Sequence, residues 1–261
     1  MAIILVTGAS SGIGEAFSRQ SIERGDNLVL VARRSDRLLS IQEMGEKKGS
    51  RVLLVPGDVR NENCLHDAVD QCLTEFGTLD AAVSNAGLGL FGPVDKLSNE
   101  QNRTMVETNI MGTVNLLQAV LPHFRSVNRG HFMAVASIAG LMGYAGMAVY
   151  SGTKFAVVGL MEALAGEFRA TPIRFTAICP GEVETEFFDH ADRSSMPAAA
   201  GLIRPLKADQ VARTMIRALA SKKNRVVLPW TAAVYVRFHQ TFPGMSRWVF
   251  YRISDLMRRR D

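Results

Sequence analysis

Residues 3–14 read Ile3-Ile4-Leu5-Val6-Thr7-Gly8-Ala9-Ser10-Ser11-Gly12-Ile13-Gly14. An apolar run leads straight into a glycine-rich turn, and a helical pattern over Ile13–Arg24 follows it. An uninterrupted apolar run of this length reads as a strand buried on both faces. A strand, a tight turn and a helix start together make an anion site, because the helix N-terminus offers unpaired N–H groups and the positive end of its dipole. Gly8 suits the tight turn, Gly12 suits close approach of the backbone to a ligand, and Gly14 suits close packing of helix on sheet. With Ser10, Ser11 and Ile13 between them, the stretch is a candidate phosphate cradle.

The same alternation continues outward. Strand-length apolar runs fall at Asn27–Ala32, Arg51–Val55, Leu79–Ser84, His131–Ser137, Ile173–Cys179 and Arg225–Pro229. Helical patterns lie between them, over residues 35–48, 62–76, 99–124, 149–169 and 208–221. Each right-handed crossover must lay its helix over the sheet. The chain is therefore expected to be α/β: a three-layer Rossmann fold with a doubly wound, seven-stranded parallel sheet and helices on both faces. Residues 1–229 make one domain of this kind, and residues 230–261 a basic, aromatic-rich C-terminal extension.

Composition agrees with a globular chain. Of 261 residues, 47% are hydrophobic and 21% charged, which excludes a disordered protein. A core of this size needs no disulfide or metal. Cys64, Cys72 and Cys179 are widely spaced and odd in number, which points to a reducing, cytoplasmic setting and no metal site. The N-terminus has no basic stretch before its apolar run, so no cleaved signal peptide is expected. Residues 132–153 lack charge, but Gly140, Gly143 and Gly146 interrupt them, so a strand, a loop and a helix start fit better than a membrane span.

Ligands of such sheets bind beyond the carboxyl ends of the strands. After the second strand the chain reads Val31-Ala32-Arg33-Arg34-Ser35, with no carboxylate before Asp36. An acidic residue there would favour NAD, whereas guanidiniums suit a dianionic 2′-phosphate. The cofactor is expected to be NADP(H), with Arg33 as the main contact and Ser10 or Arg34 helping. After the third strand come Asp58, a candidate acceptor for the adenine amino group, and Val59. After the fourth come Asn85, Ala86 and Gly87, whose small side chains would let backbone lie against the cofactor.

TGASSGIG at 7–14, NAG at 85–87, Asn109, Ser137, YSGTK at 150–154 and Pro180-Gly181 through Thr185 stand in the order that resembles the short-chain dehydrogenase/reductase family. The resemblance spans about residues 2–229. It implies Asn109, Ser137, Tyr150 and Lys154 as the catalytic set. It also implies that Asn109 holds a proton-relaying water, and that Pro180, Gly181, Val183 and Thr185 meet the nicotinamide and diphosphate. The segment 186–206, with Phe187, Phe188, Met196, Pro197, three alanines and Leu202, would be a substrate lid.

The chemistry of the set also follows from the residues. Tyr150 and Lys154 are four apart on one helix and face the same way. A nearby ammonium lowers a phenol pKa, so Tyr150 is the expected general acid in reduction and base in oxidation. Lys154 would also hold the nicotinamide ribose. Ser137, ending the fifth strand, would polarise the carbonyl oxygen. The expected reaction moves hydride between nicotinamide and a carbonyl/secondary-alcohol pair. Leu88, Leu90, Phe91, Leu141, Met142, Tyr144 and Met147 are the expected apolar pocket walls, so the substrate is a fairly hydrophobic ketone or aldehyde.

From Lys222 to Asp261 there are nine Lys/Arg against two Asp/Glu, with seven aromatics between Trp230 and Tyr251. This tail is expected either to fold back over the substrate side or to touch a peripheral membrane surface or another protein. Nucleic acid is not an expected partner, since no binding motif is present. Helices 99–124 and 149–169 carry more apolar face than one sheet needs, which predicts a homo-oligomer. Three rival readings stand beside the reductase: a catalytically silent NADP-binding regulator, a membrane-associated interaction protein, and an epimerase or dehydratase on the same scaffold.

Overall fold

The computed structural model describes residues 1–188 and 204–258. Seven parallel strands form the sheet: β1 (Ile3–Thr7), β2 (Asn27–Ala32), β3 (Val52–Pro56), β4 (Ala81–Ser84), β5 (Gly130–Val135), β6 (Ile173–Pro180) and, last in the chain, β9 (Arg225–Leu228). Their order is β3-β2-β1-β4-β5-β6-β9. A small second sheet pairs β7 (Val183–Glu184) with β8 (Leu206–Lys207).

Side chains alternate across the main sheet, so each strand feeds two cores. Ile4 and Val6 of β1 point into the layer of α1 (Gly12–Glu23), α2 (Asp36–Lys48) and α7 (Ala208–Leu219), where Phe17, Ile41 and Met215 are buried. Leu5 points the other way, toward α3 (Glu62–Phe76), α5 (Gly112–Ser126) and α6 (Ala148–Glu167), with Leu65, Val120 and Met161. Both faces are therefore covered, as the uninterrupted apolar strands require. The chain winds outward in both directions from β1 and β4, so the crevice beyond their carboxyl ends is the topological switch point.

Two local features depart from the sequence expectation. The helix over 99–124 is split into α4 (Asn99–Val106), one π-helical turn (Glu107–Met111) and α5. Asn109 sits in the widened turn, and the Thr113 hydroxyl donates to its carbonyl at 2.9 Å. Such turns frequently mark functional sites. The fifth strand stops at Val135, so Ser137 is not its last residue but caps a single 3-10 turn, Ile138–Gly140. Its hydroxyl accepts from the Ala139 N–H at 3.1 Å.

The last described residues form α8 (Trp230–Thr241) and α9 (Pro243–Arg258). They are tied together by a hydrogen bond between His239 Nδ1 and Ser246 Oγ at 2.6 Å, and by the Tyr235 hydroxyl donating to the Ser246 carbonyl at 3.4 Å. Phe250 meets Tyr144 edge-on at 5.8 Å, which brings the pair back against the loop before α6. Among the described residues no helix is long and apolar enough to cross a membrane.

Candidate active site

The glycine turn after β1 has no room for side chains. Gly8 and Gly12 adopt φ of +64° and +57°, which side-chain-bearing residues rarely do. A Cβ at Gly14 would come within 2.4 Å of the Gly8 carbonyl oxygen and the Asn85 side-chain nitrogen. Asn85 closes the turn: its Nδ2 donates to the Thr7 and Gly8 carbonyls at 3.1 and 3.0 Å. In return the Thr7 hydroxyl accepts from the Asn85 and Ala86 N–H groups at 3.1 and 3.2 Å. The first and fourth strand ends therefore hold each other open at the switch point.

A cavity of about 830 Å³ runs along the carboxyl ends of the strands from this turn. Its walls include Gly8, Ser10, Ser11, Gly12 and Ile13 from the turn, Arg33 and Arg34 after β2, Asp58 and Val59 after β3, and Asn85, Ala86 and Gly87 after β4. Ser137, Tyr150, Lys154, Pro180, Gly181, Val183 and Thr185 line the same space. Of the cofactor-binding and catalytic residues singled out in the sequence, Gly14 and Asn109 do not line it. Both stand directly behind it, Gly14 under the turn and Asn109 under Gly87.

Polar contacts fix the charged end. Arg34 donates to Ser11 Oγ at 2.9 Å and to Glu186 at 3.1 Å, and Arg37 also reaches Glu186, at 2.6 Å. The Glu186 carboxyl is held below its ordinary range by Arg37 and then Arg34. Asp58 accepts from the Arg60 guanidinium at 2.8 Å and the Arg60 N–H at 3.0 Å. Hydrogen bonding from Arg60 pulls its pKa down, and the charge of Arg33 adds to this. Asp58 does not cap α3, because Asn61 does. Asn115 donates to the Val59 carbonyl at 3.0 Å and so anchors that loop from α5. A trough of backbone N–H groups with guanidiniums at one end fits an elongated polyanion with a terminal phosphate.

At the other end Ser137, Tyr150 and Lys154 line the cavity, with Asn109 behind it. Tyr150 is 6% exposed, with Phe91 edge-on at 5.4 Å and Phe187 at 5.7 Å. Burial raises its phenol to about 12, and a hydrogen bond with Ser137 pulls the other way. Lys154 is 4% exposed and donates to the Val135 carbonyl at 3.0 Å. Burial lowers its pKa to about 8.

Sequence reasoning had the Lys154 ammonium acting on the phenol. In this structure desolvation outweighs any such effect, and Ser137 is the group that favours the phenolate. The ammonium lies 5.8 Å from the Tyr150 ring centre and spends its hydrogen bond on the strand backbone.

Asn109 is 1% exposed, and its amide is fully engaged. Nδ2 donates to the Leu88 carbonyl and to Thr153 Oγ1, both at 2.9 Å, while Oδ1 accepts from the Leu88 N–H at 2.8 Å.

The substrate walls need correction. Leu88, Tyr144 and Met147 line the cavity, as does Phe187 of the expected lid. Leu141 and Met142 are core residues under α6, and Leu90 and Phe91 stand behind Tyr150. Of the expected lid, Met196, Pro197, the three alanines and Leu202 lie outside the described residues, as do Arg259 and Arg260 of the tail. The tail folds back over the substrate side, one of its expected placements, and Thr231, Tyr235, Val249, Phe250 and Ile253, not singled out as pocket residues in the sequence, roof the cavity from α8 and α9. Their signal was the spacing of Val249, Phe250 and Ile253 along one helical face.

A family model described as short chain dehydrogenase matches residues 2–195. An uncharacterized oxidoreductase of Listeria innocua is 37% identical over 189 residues, covering 72% of this chain and 76% of its own. An NADP-dependent 3-hydroxy acid dehydrogenase of Shigella flexneri is 37% identical over 187 residues, covering 71% and 74%. A short chain dehydrogenase/reductase from Burkholderia phymatum, solved in complex with NAD, superposes with a TM-score of 0.83 at 25% identity, covering 92% and 93%.

Proposed function

Since the chain belongs to the short chain dehydrogenase family, and is therefore an oxidoreductase that uses a nicotinamide cofactor, we propose that it is an NADP(H)-dependent reductase of a fairly hydrophobic ketone or aldehyde. The observation that carries the proposal is the convergence of Ser137, Tyr150 and Lys154 on the cavity that also holds the glycine turn and Arg33. When bound, the cofactor supplies or accepts the hydride.

This chain's residues would do the rest. Backbone N–H groups of residues 10–13 would bind the diphosphate, Arg33 the 2′-phosphate, and Asp58 and Val59 the adenine side. Pro180, Gly181, Val183 and Thr185 would border the nicotinamide. Ser137 would orient the carbonyl oxygen, and Tyr150 would give it a proton during reduction. Lys154, charged below about pH 8, would restore that proton and hold the ribose hydroxyls. Asn109 would act by fixing the Leu88 backbone. Any proton relay through water would use groups near the Asn109–Lys154 pair, both of which come close to Gly87.

A guanidinium pair with no carboxylate at the end of β2 supports NADP(H) over NAD(H). The Shigella relative's use of NADP supports it too. The apolar roof supports a hydrophobic substrate. We also infer a homo-oligomer through α6, whose exposed face carries Phe155 beside glycines with no neighbour within 4 Å. Three free cysteines support a reducing, cytoplasmic setting.

The deciding experiment follows loss of reduced-nicotinamide absorbance across a panel of ketones and aldehydes, with both cofactors. Wild type should consume NADPH. Tyr150→Phe should lose about 10²- to 10⁴-fold in turnover while still binding NADPH. Equal turnover by the variant would refute the assignment.

A further inference from the structure

Helices α8 and α9 have two faces of different character. The inner face, Tyr235, Val249, Phe250 and Ile253, roofs the cavity. The outer face carries Trp230, Val234, Phe242, Met245, Trp248 and Tyr251, all exposed, with Trp230 at 76% and Trp248 at 64%. Arg237, Arg247 and Arg252 are interleaved with them and are exposed too. The Arg252 guanidinium lies over the Trp248 ring at 5.9 Å, so charge and aromatic surface are presented together.

Large apolar side chains at this exposure are costly in water and call for a covering surface. The arginines narrow what that surface can be. A second copy packed patch against patch would bring only Asp255 to meet Arg237, Arg247 and Arg252, because no other residue between Trp230 and Arg258 is acidic. Phosphates spread over a bilayer meet guanidiniums wherever they fall, while Trp and Tyr rings suit the headgroup level. Neither helix is long and apolar enough to span a membrane, so the fit is to its surface.

We propose that the outer face of the α8–α9 pair docks on an anionic lipid bilayer, holding the roofed end of the cavity at the lipid surface, where a membrane-dissolved long-chain carbonyl compound can enter. The docking stands on exposure and charge alone. The substrate class rests also on the reductase assignment.

Flotation of the full-length protein tests the docking. It should float with vesicles of phosphatidylcholine mixed with phosphatidylglycerol, far less with pure phosphatidylcholine, and less again at high salt. Trp230→Ala with Trp248→Ala should cut the bound fraction about tenfold, as should Arg237→Glu with Arg252→Glu. Thermal unfolding identifies which variants remain folded, and the charge pair preserves the test if the tryptophan pair does not. No flotation with anionic vesicles, or flotation that folded variants retain, would overturn the proposal. So would a wild-type dimer that the same substitutions turn into a monomer, because a second copy would then cover the face.

A turnover arm compares a short water-soluble ketone with a long-chain ketone dissolved in the vesicles. Anionic vesicles should speed the second several-fold and leave the first unchanged. Flotation without NADPH consumption on either ketone would leave the docking intact and refute the reductase assignment instead.

Discussion

Asn109 holds the backbone of Leu88 at two points, accepting from its N–H at 2.8 Å and donating to its carbonyl at 2.9 Å. A side-chain amide here imitates a neighbouring strand, and its remaining N–H reaches Thr153 on α6. The loop that follows β4 is thereby bolted to the helix that carries Tyr150 and Lys154.

Replacing that amide with a shape-matched apolar side chain tests the bolt. Asn109→Leu leaves the Leu88 N–H and carbonyl and the Thr153 hydroxyl without this partner, at a cost of about 1–3 kcal/mol for each group left dry. The expected result is a clear fall in Tm together with a loss of turnover. An unchanged Tm by scanning calorimetry would mean the amide positions nothing.

Cofactor choice is tested at the end of β2. Arg33→Asp should move the ratio of NADPH to NADH affinity by about tenfold or more, since a charge-assisted contact is lost and a repulsive one gained. Glu186 ties up Arg34 and Arg37 at the same mouth. Glu186→Gln should therefore tighten NADPH slightly, and the gain should fade with salt because the groups are exposed. Titration of both cofactors by nucleotide fluorescence reads both effects. Unchanged NADPH affinity in Arg33→Asp would overturn the assignment.

Burial of Lys154 has a pH signature. Its folded pKa is about 8 against an ordinary 10.5. Between those values the unfolded chain holds a proton that the folded chain has released, so the cost of burying the charge is fully present below about pH 8 and is relieved as pH rises toward 10.5. Stability of wild type relative to Lys154→Met should climb across that window, at most about 1.4 kcal/mol per pH unit. Urea unfolding at several pH values measures the difference, and a flat difference would mean the ammonium is not desolvated.

Two glycines test two different surroundings. Gly14→Ala forces a methyl to within 2.4 Å of backbone and should cost about 1–3 kcal/mol while weakening cofactor binding. Gly159→Ala on the outer face of α6 meets nothing within 4 Å in its own chain, so an isolated protomer should gain about 0.5–1 kcal/mol from helix propensity, whereas the proposed oligomer through α6 should lose stability. A loss there instead, with a change in sedimentation, would show a second subunit packed against that face.

Most of this architecture could be read from the chain because its signals are local. The apolar runs locate all seven main strands to within a few residues, since strands covered on both faces leave no ambiguity of side. The glycine turn and the Tyr150–Lys154 spacing are equally local. What escaped depends on distance. Asn109, in the π turn, is held by the Leu88 backbone and the Thr153 hydroxyl, 21 and 44 residues away. Leu141 and Met142 look like pocket walls in a list of residues, yet the 3-10 turn at Ile138–Gly140 sends them into the core. The influence of Ser137 that favours the Tyr150 phenolate joins residues thirteen apart across that same turn. Helices α8 and α9 lie beyond the family match, so nothing in the shared motifs said where they would fold.

That last placement separates two kinds of evolutionary freedom. In the proposed mechanism the residues that handle the proton all precede residue 155, while Thr231, Tyr235, Val249, Phe250 and Ile253, which roof the cavity, come from residue 231 onward. Grafting a different ending beyond the last sheet strand, after residue 229, should therefore exchange one clientele of molecules for another while the proposed hydride chemistry stayed as it was.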